Sequence, residues 1–153
     1  MKRLLATAAM LAVAGLGLTG CATAVALTPA PHATSVGCAG IIASVSQLAT
    51  IAKQPLRQTD AQGTAAWGSE PSVTLTCGVD AGISSDLCTT VDGVDWQYHT
   101  DPKHPKVYVI TTYGRSPATQ VIIDSRVVSN EDILPSISDV ISNETTATKR
   151  CTT

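Results

Sequence analysis

Five cysteines in 153 residues, the first of them closing a short apolar run, restrict this chain more than any other feature. Leu18-Thr19-Gly20-Cys21 follows Lys2, Arg3 and an apolar stretch from Leu4 to Leu18. Two cations hold the start of such a chain at the cytoplasmic face while the apolar stretch enters the secretion machinery. As a helix this stretch rises only about 22 Å, short of the roughly 30 Å hydrocarbon core, so it predicts a removable leader and not a permanent span. Small residues at Thr19 and Gly20 leave a signal peptidase access to the backbone, and Cys21 supplies a thiol for diacylglycerol. The pattern reads as a lipobox: a lipoprotein signal peptide over residues 1–20, a lipidated Cys21, and a protein held at the extracytoplasmic face of the cell membrane. Acyl chains, palmitate among them, contribute about 0.8 kcal/mol per buried methylene, enough for two of them to anchor a small domain.

Cys38, Cys77, Cys88 and Cys151 then remain for the folded domain. An even number in an exported chain predicts two disulfide bonds, because nothing outside the membrane keeps thiols reduced. Three pairings are open to four cysteines, and their spacing does not choose among them. A bridge closing about 40 residues contributes roughly 4 kcal/mol in the chain-entropy description. No Cys-x-x-Cys or close Cys and His grouping points to zinc, so no metal and no cofactor is expected.

Composition sets the rest of the frame. Without Lys2 and Arg3, eight basic residues face twelve acidic ones, a formal charge of −4 that makes nucleic acid an improbable partner. The acidic residues are dispersed and read as a solvated surface. With no Phe, two Trp and three Tyr, the core has to come from Ile, Val, Leu and Ala. Residues 21–37 carry the lipidated cysteine and an Ala-, Thr- and Pro-rich stretch without apolar period, which predicts a flexible tether, and residues 38–153 form one domain.

Within that domain Cys38, Ile41, Ile42, Val45, Leu48, Ala49 and Ala52 recur at three- and four-residue offsets, predicting an amphipathic helix that ends before Pro55. Val73, Leu75, Cys77 and Val79 alternate with Thr74, Thr76 and Gly78 as one face of a strand. Asp92-Gly93 is a turn signal in an extended region running from Val91 through Trp96 and Tyr98. Val107 to Tyr113 and Thr119 to Ile123, separated by Gly114-Arg115-Ser116-Pro117, read as a hairpin. A last helix is expected to begin near Pro135 and to bury Ile137, Val140 and Ile141, leaving a polar tail pinned by Cys151. The fold class is α+β: a small antiparallel sheet of about four strands with an N-terminal and a C-terminal helix on one face, stapled by disulfides.

Catalytic patterns are missing from the sequence. There is no Gly-x-Ser-x-Gly for a serine hydrolase, no phosphate loop and no calcium loop. His99 and His104 around Asp101 could be imagined as metal ligands, but Pro102 makes a turn between strands the better reading. Asp92 and Asp95 could be an acid/base pair, yet Asp92 beside Gly93 is a turn residue. Trp67 and Trp96 could stack on sugar rings if exposed; in a chain without Phe they are better placed in the core. Arg115, after Gly114, could hold an anion or pair with a carboxylate. Trp67, Trp96 and Arg115 are therefore the candidate ligand-binding residues, and no catalytic residue is assigned.

Cys38 opening a helix, Ala65-Ala66-Trp67-Gly68, Leu75-Thr76-Cys77-Gly78-Val79, Val91-Asp92-Gly93-Val94-Asp95-Trp96 and Thr111-Thr112-Tyr113-Gly114-Arg115 together resemble the domain of unknown function 3515. The resemblance covers residue 38 to about residue 142 and implies a small secreted or lipid-anchored protein of actinobacteria. It also implies pairing of Cys38 with Cys77, the two positions where members carry cysteine, and by subtraction of Cys88 with Cys151. No activity attaches to the family, whose genes often neighbour one for D-alanine ligation. The expectation is a membrane-anchored envelope lipoprotein that is not an enzyme and that binds or assists an envelope protein. The alternative is a small-ligand module for a cell-wall fragment or other anion.

Overall fold

The computed structural model describes residues 23–81 and 88–151; Cys21 and the leader lie outside them. The chain runs from helix α1 (Val36–Val45) through strands β1 (Thr50–Ile51), β2 (Gln54–Arg57), β3 (Thr64–Trp67), β4 (Val73–Val79), β5 (Cys88–Val91), β6 (Val94–Asp101), β7 (His104–Thr112) and β8 (Ala118–Asp124) to helix α2 (Asn130–Glu144). All eight strands join one antiparallel sheet in the order β1-β2-β3-β4-β8-β7-β6-β5. Two helices and a disulfide-linked antiparallel sheet agree with the α+β reading, but the sheet has eight strands where about four were expected, and the fold is mostly β.

Alternation builds the core. Trp67, Val73, Ile123 and Tyr108 lie opposite one another on successive strands, as do Ala65, Leu75, Val121, Ile110 and Tyr98. The opposite face carries the polar row Thr64, Thr76, Gln120, Thr111 and Gln97, as the two-residue period of a strand requires. On the apolar face α1 contributes Cys38, Ile41 and Val45, and α2 contributes Ile133, Leu134, Ile137, Val140 and Ile141 to the same buried cluster. The helices also touch each other.

The extra strands come from segments whose pattern conceals them. The helix expected to reach Pro55 ends at Val45, because the Ser46 hydroxyl donates to the Ile42 carbonyl at 2.6 Å and competes with a further turn. Beyond it the amides of Leu48 and Ala49 make only short local turns, while the Leu48 carbonyl accepts from Trp67 Nε1 at 2.9 Å and the Ala49 carbonyl from the Leu56 amide at 2.8 Å, so the carbonyls of this stretch go to the sheet and not to a further helical turn. Ala52 and Lys53, both at positive φ, turn β1 into β2 in a two-residue hairpin. Pro55 in β2 has no amide to offer Gly68, whose carbonyl instead accepts from Arg57 Nη1 at 3.1 Å. Strand β3 is buried at every residue, so Thr64-Ala65-Ala66-Trp67 shows no alternation.

Other expectations hold with shifted bounds. Asp92 and Gly93, both at positive φ, form the β5–β6 turn, and Pro102 lies in the β6–β7 turn that separates His99 from His104. Strands β7 and β8 form the expected hairpin. Helix α2 begins five residues before Pro135, because Ser129 caps it: its Oγ accepts from the Asp132 amide at 3.3 Å and donates to Asp132 Oδ2 at 2.9 Å. Glu131 and Asp132 in the first turn suit the positive end of the helix dipole. Among the described residues no helix is long and apolar enough to cross a membrane.

The greatest departure concerns residues 23–37, read as a tether. Arg57 Nη2 donates to the Thr23 carbonyl at 3.0 Å, and Val25 bridges Thr59 through bonds with the Gln58 carbonyl and the Asp60 amide. Asp60 Oδ1 accepts from the Leu27 amide at 2.9 Å, the His32 amide donates to the Gly78 carbonyl at 2.9 Å, and Ala33 is buried. Composition alone did not reveal that backbone groups of the loop after β2 pair this stretch. Gly78 makes room for it: at φ +89° a Cβ there would stand 2.3 Å from the His32 carbonyl carbon. Gly78→Ala should destabilise the fold by about 2 kcal/mol, from backbone strain and this clash. Denaturant titration should show that loss, and hydrogen exchange should show the amides of Val25 and His32 losing protection first; unchanged protection there would contradict the docking.

Candidate functional site

Both disulfides join elements that are distant in sequence. Cys38 of α1 is bonded to Cys77 of β4 and Cys88 of β5 to Cys151 of the tail, with Cα separations of 5.6 and 5.9 Å, within the usual span of a disulfide. The first fixes α1 on the central part of the sheet; the second draws the tail across the β5–β6 end.

Under that tail lies a charged cluster. Arg115, only 5% exposed, sits in the β7–β8 loop. Its Nη1 donates to the Thr145 carbonyl, to Thr145 Oγ1 at 3.0 Å and to the Ile141 carbonyl at 3.4 Å, and its Nη2 donates to the Gly93 carbonyl at 3.0 Å. These contacts pair the Thr145 carbonyl just past α2, add to an Ile141 carbonyl that already accepts from the Thr145 amide and Oγ1, and place a cation at the negative end of the helix dipole. Burial above all, then the neighbouring charge of Arg150, lowers the Arg115 pKa from the ordinary arginine value; Asp95 opposes them. Asp95 is itself buried and accepts from Thr90 Oγ1 at 2.6 Å and from the Cys151 amide at 2.9 Å, with Arg150 Nη1 4.0 Å away. Thr148 binds the Gly114 carbonyl through its amide at 2.7 Å, and Arg150 Nη1 donates to the Gly93 carbonyl at 2.8 Å. The cluster closes one end of the domain.

The three candidate ligand residues do not come together on an open surface. Trp67 and Trp96 are both 0% exposed. The indole of Trp67 donates to Leu48, and that of Trp96 donates to Ser138 Oγ on α2 at 2.9 Å. Each indole thus packs an apolar ring and satisfies its one donor inside the core. The Arg115 guanidinium is directed at backbone carbonyls. Asp95, considered with Asp92 as an acid/base pair, is held by the tail, while Asp92 stays in its turn. Among the described residues no three His, Cys, Asp or Glu side chains converge as metal ligands.

A cleft that the sequence did not single out lies at the start of α1. It encloses about 390 Å³ between His32, Ser35, Val79, Asp80, Ser116 and Pro117, and of the candidate ligand residues Arg115 also lines it. His32 Nε2 stands 3.5 Å from Asp80 Oδ1, both side chains largely exposed, and Ser35 Oγ is a buried hydroxyl without a hydrogen-bond partner. Ser35 is the N-terminal cap residue of α1, yet its side chain makes no cap bond. The cleft offers a hydroxyl and an imidazole to a hydrogen-bonding ligand. A Ser between His32 and a short helix, with Asp80 far along the chain, gives no sequence pattern that would mark it.

Arg115→Met should leave the Thr145 carbonyl unpaired and weaken the shielding of Asp95, destabilising the domain by about 3 kcal/mol. Arg115→Lys should recover only part of that, since an ammonium group cannot span Thr145 and Gly93 together. Thermal unfolding checks both; a Met variant as stable as the parent would remove the structural role given to this side chain.

No curated protein and no solved structure shows a significant match to the chain. A family described as "Protein of unknown function (DUF3515)" matches residues 3–150, nearly the full length and including the motifs around Cys38, Cys77 and Arg115. The chain therefore belongs to the DUF3515 family of proteins of unknown function.

Proposed function

We propose that this chain is an envelope lipoprotein, anchored through Cys21 at the extracytoplasmic face of the membrane, that binds or assists another envelope protein without catalysing a reaction. The observation that carries the reading is Leu18-Thr19-Gly20-Cys21 behind a short apolar run and two cations. Two disulfides fit a domain working where thiols are oxidised. The most chemically capable buried groups, Asp95 and Arg115, hold the tail and the end of α2, which favours a binding role over turnover. Cys21→Ala should release the protein from the membrane fraction, and full retention would refute the anchor. In-cell crosslinking of the anchored form, with the Cys21→Ala form as control, should recover one abundant envelope protein that the control loses. Turnover by the purified domain on cell-wall substrates would refute the non-catalytic reading.

A second reading is a small-ligand module for a cell-wall fragment or another anion. The cleft at His32 and Ser35, which Arg115 also lines, supports it better than the buried Trp67 and Trp96 do. It requires that Ser35→Ala or His32→Ala lower the affinity for such a fragment while the melting temperature stays unchanged.

A further inference from the structure

Ser35 Oγ and Arg115 Nε are buried donors without a hydrogen-bond partner, and both residues line the same cleft of about 390 Å³. Three segments of chain meet there: the turn at His32 and Ser35, the end of β4 with Asp80 and Ala81 beyond it, and the β7–β8 loop from Arg115 to the first residue of β8, Ala118. Two glycines let these segments approach. A Cβ on Gly37 would stand 2.5 Å from Pro117 Cδ, and one on Gly78 would stand 2.3 Å from the His32 carbonyl carbon. Helix α1 therefore begins against the loop, and the turn before it lies against the sheet. Arg115 is 5% exposed, and its Nη1 and Nη2 are engaged by Thr145, Ile141 and Gly93. Its Nε is the donor left over. Leaving a buried charged donor unpaired is costly, so an acceptor from outside the chain gains from meeting it.

The remaining chemistry of the cleft selects that acceptor. Ser35 stands at the start of α1, where the first amides have no acceptor within the helix and the dipole is positive. Such an end attracts an anion. The charges present favour a single negative one. Asp95 and Arg150, which both act on Arg115, stand 4.0 Å apart and offset each other, so the guanidinium brings one positive charge. Asp80, largely exposed beside His32, opposes a second negative charge on the ligand. Val79, Ala81, Pro117 and Ala118 make the rest of the lining aliphatic. We propose that the cleft binds a small aliphatic carboxylate, whose oxygens accept from Ser35 Oγ and Arg115 Nε while its apolar body lies along Val79, Pro117 and Ala118. The inference rests on the small-ligand reading above and gives that ligand its chemical class.

The test follows the full mature protein in detergent micelles, with both disulfides intact, by nitrogen–proton correlation spectra. It is titrated with butyrate, with butyramide of the same shape but no charge, and with inorganic phosphate. Butyrate should move the Arg115 Nε–H proton downfield with saturation, together with the amides of Val36 and Gly37. Ser35→Ala removes one donor from a side chain that caps nothing, and should lower the affinity for butyrate about tenfold at an unchanged melting temperature. Equal binding of butyramide, or tighter binding of phosphate, would overturn the carboxylate and leave a ligand-binding cleft standing. Saturation by butyrate that leaves the Arg115 Nε–H proton unmoved would overturn the assigned seat, again without touching the small-ligand reading. If none of the three moves a resonance of the cleft, water alone serves the two donors, and the inference falls together with the reading on which it rests.

Discussion

The covalent link between Cys38 and Cys77 is the constraint on which the remaining architecture depends. Helix α1 has ten residues, two of them glycine, and no charged pair along its length. A helix this short is marginal in water, so its existence follows from attachment and burial and not from propensity. Cys77 lies on β4, near the middle of the sheet, between a flank ending in β1 and a flank ending in β5. Fixing α1 there gives Trp67, Leu75 and Val121 an apolar partner, and it sets the turn at His32 against Gly78. Two short flanks of sheet, a small helix and the N-terminal segment are thereby referred to one point.

The second end of the domain is closed by charge and not by apolar packing. Arg115 takes the carbonyls of α2, Asp95 takes the amide of Cys151, and the second disulfide prevents the tail from leaving. Buried charges of this kind are weak sources of stability but are costly to leave unpaired, which ties the tail, the β5–β6 turn and the end of α2 into one unit. The chain has few aromatic residues with which to fill that end otherwise.

Much of the sheet was legible where side chains alternate or where a turn has its own chemistry. Val73 to Val79, Asp92-Gly93 and the β7–β8 hairpin belong to that group. Strands β1 to β3 were not legible, because Ala52-Lys53 lacks the usual turn residues, Pro55 argues against a strand interior, and Ala65-Ala66-Trp67 is buried on both faces. The start of α2 is set by Ser129 and Asp132, and Pro135, the expected first position, falls inside the helix. The destination of Arg115 had no sequence signal at all: its partners are backbone carbonyls of residues 22 to 30 positions away. Docking of residues 23–33 was hidden for the same reason, since main-chain pairing leaves no mark on composition.

Of the three ways to join four cysteines, the observed one is the arrangement in which the two loops neither cross nor nest. The ring closed by Cys38 and Cys77 ends before the ring closed by Cys88 and Cys151 begins. A chain delivered N-terminus first presents both members of the first pair before either member of the second. The partner of Cys88 arrives last of the four. Delivery order therefore sorts the pairing, and the domain can be oxidised to its native bonds one ring at a time without reshuffling.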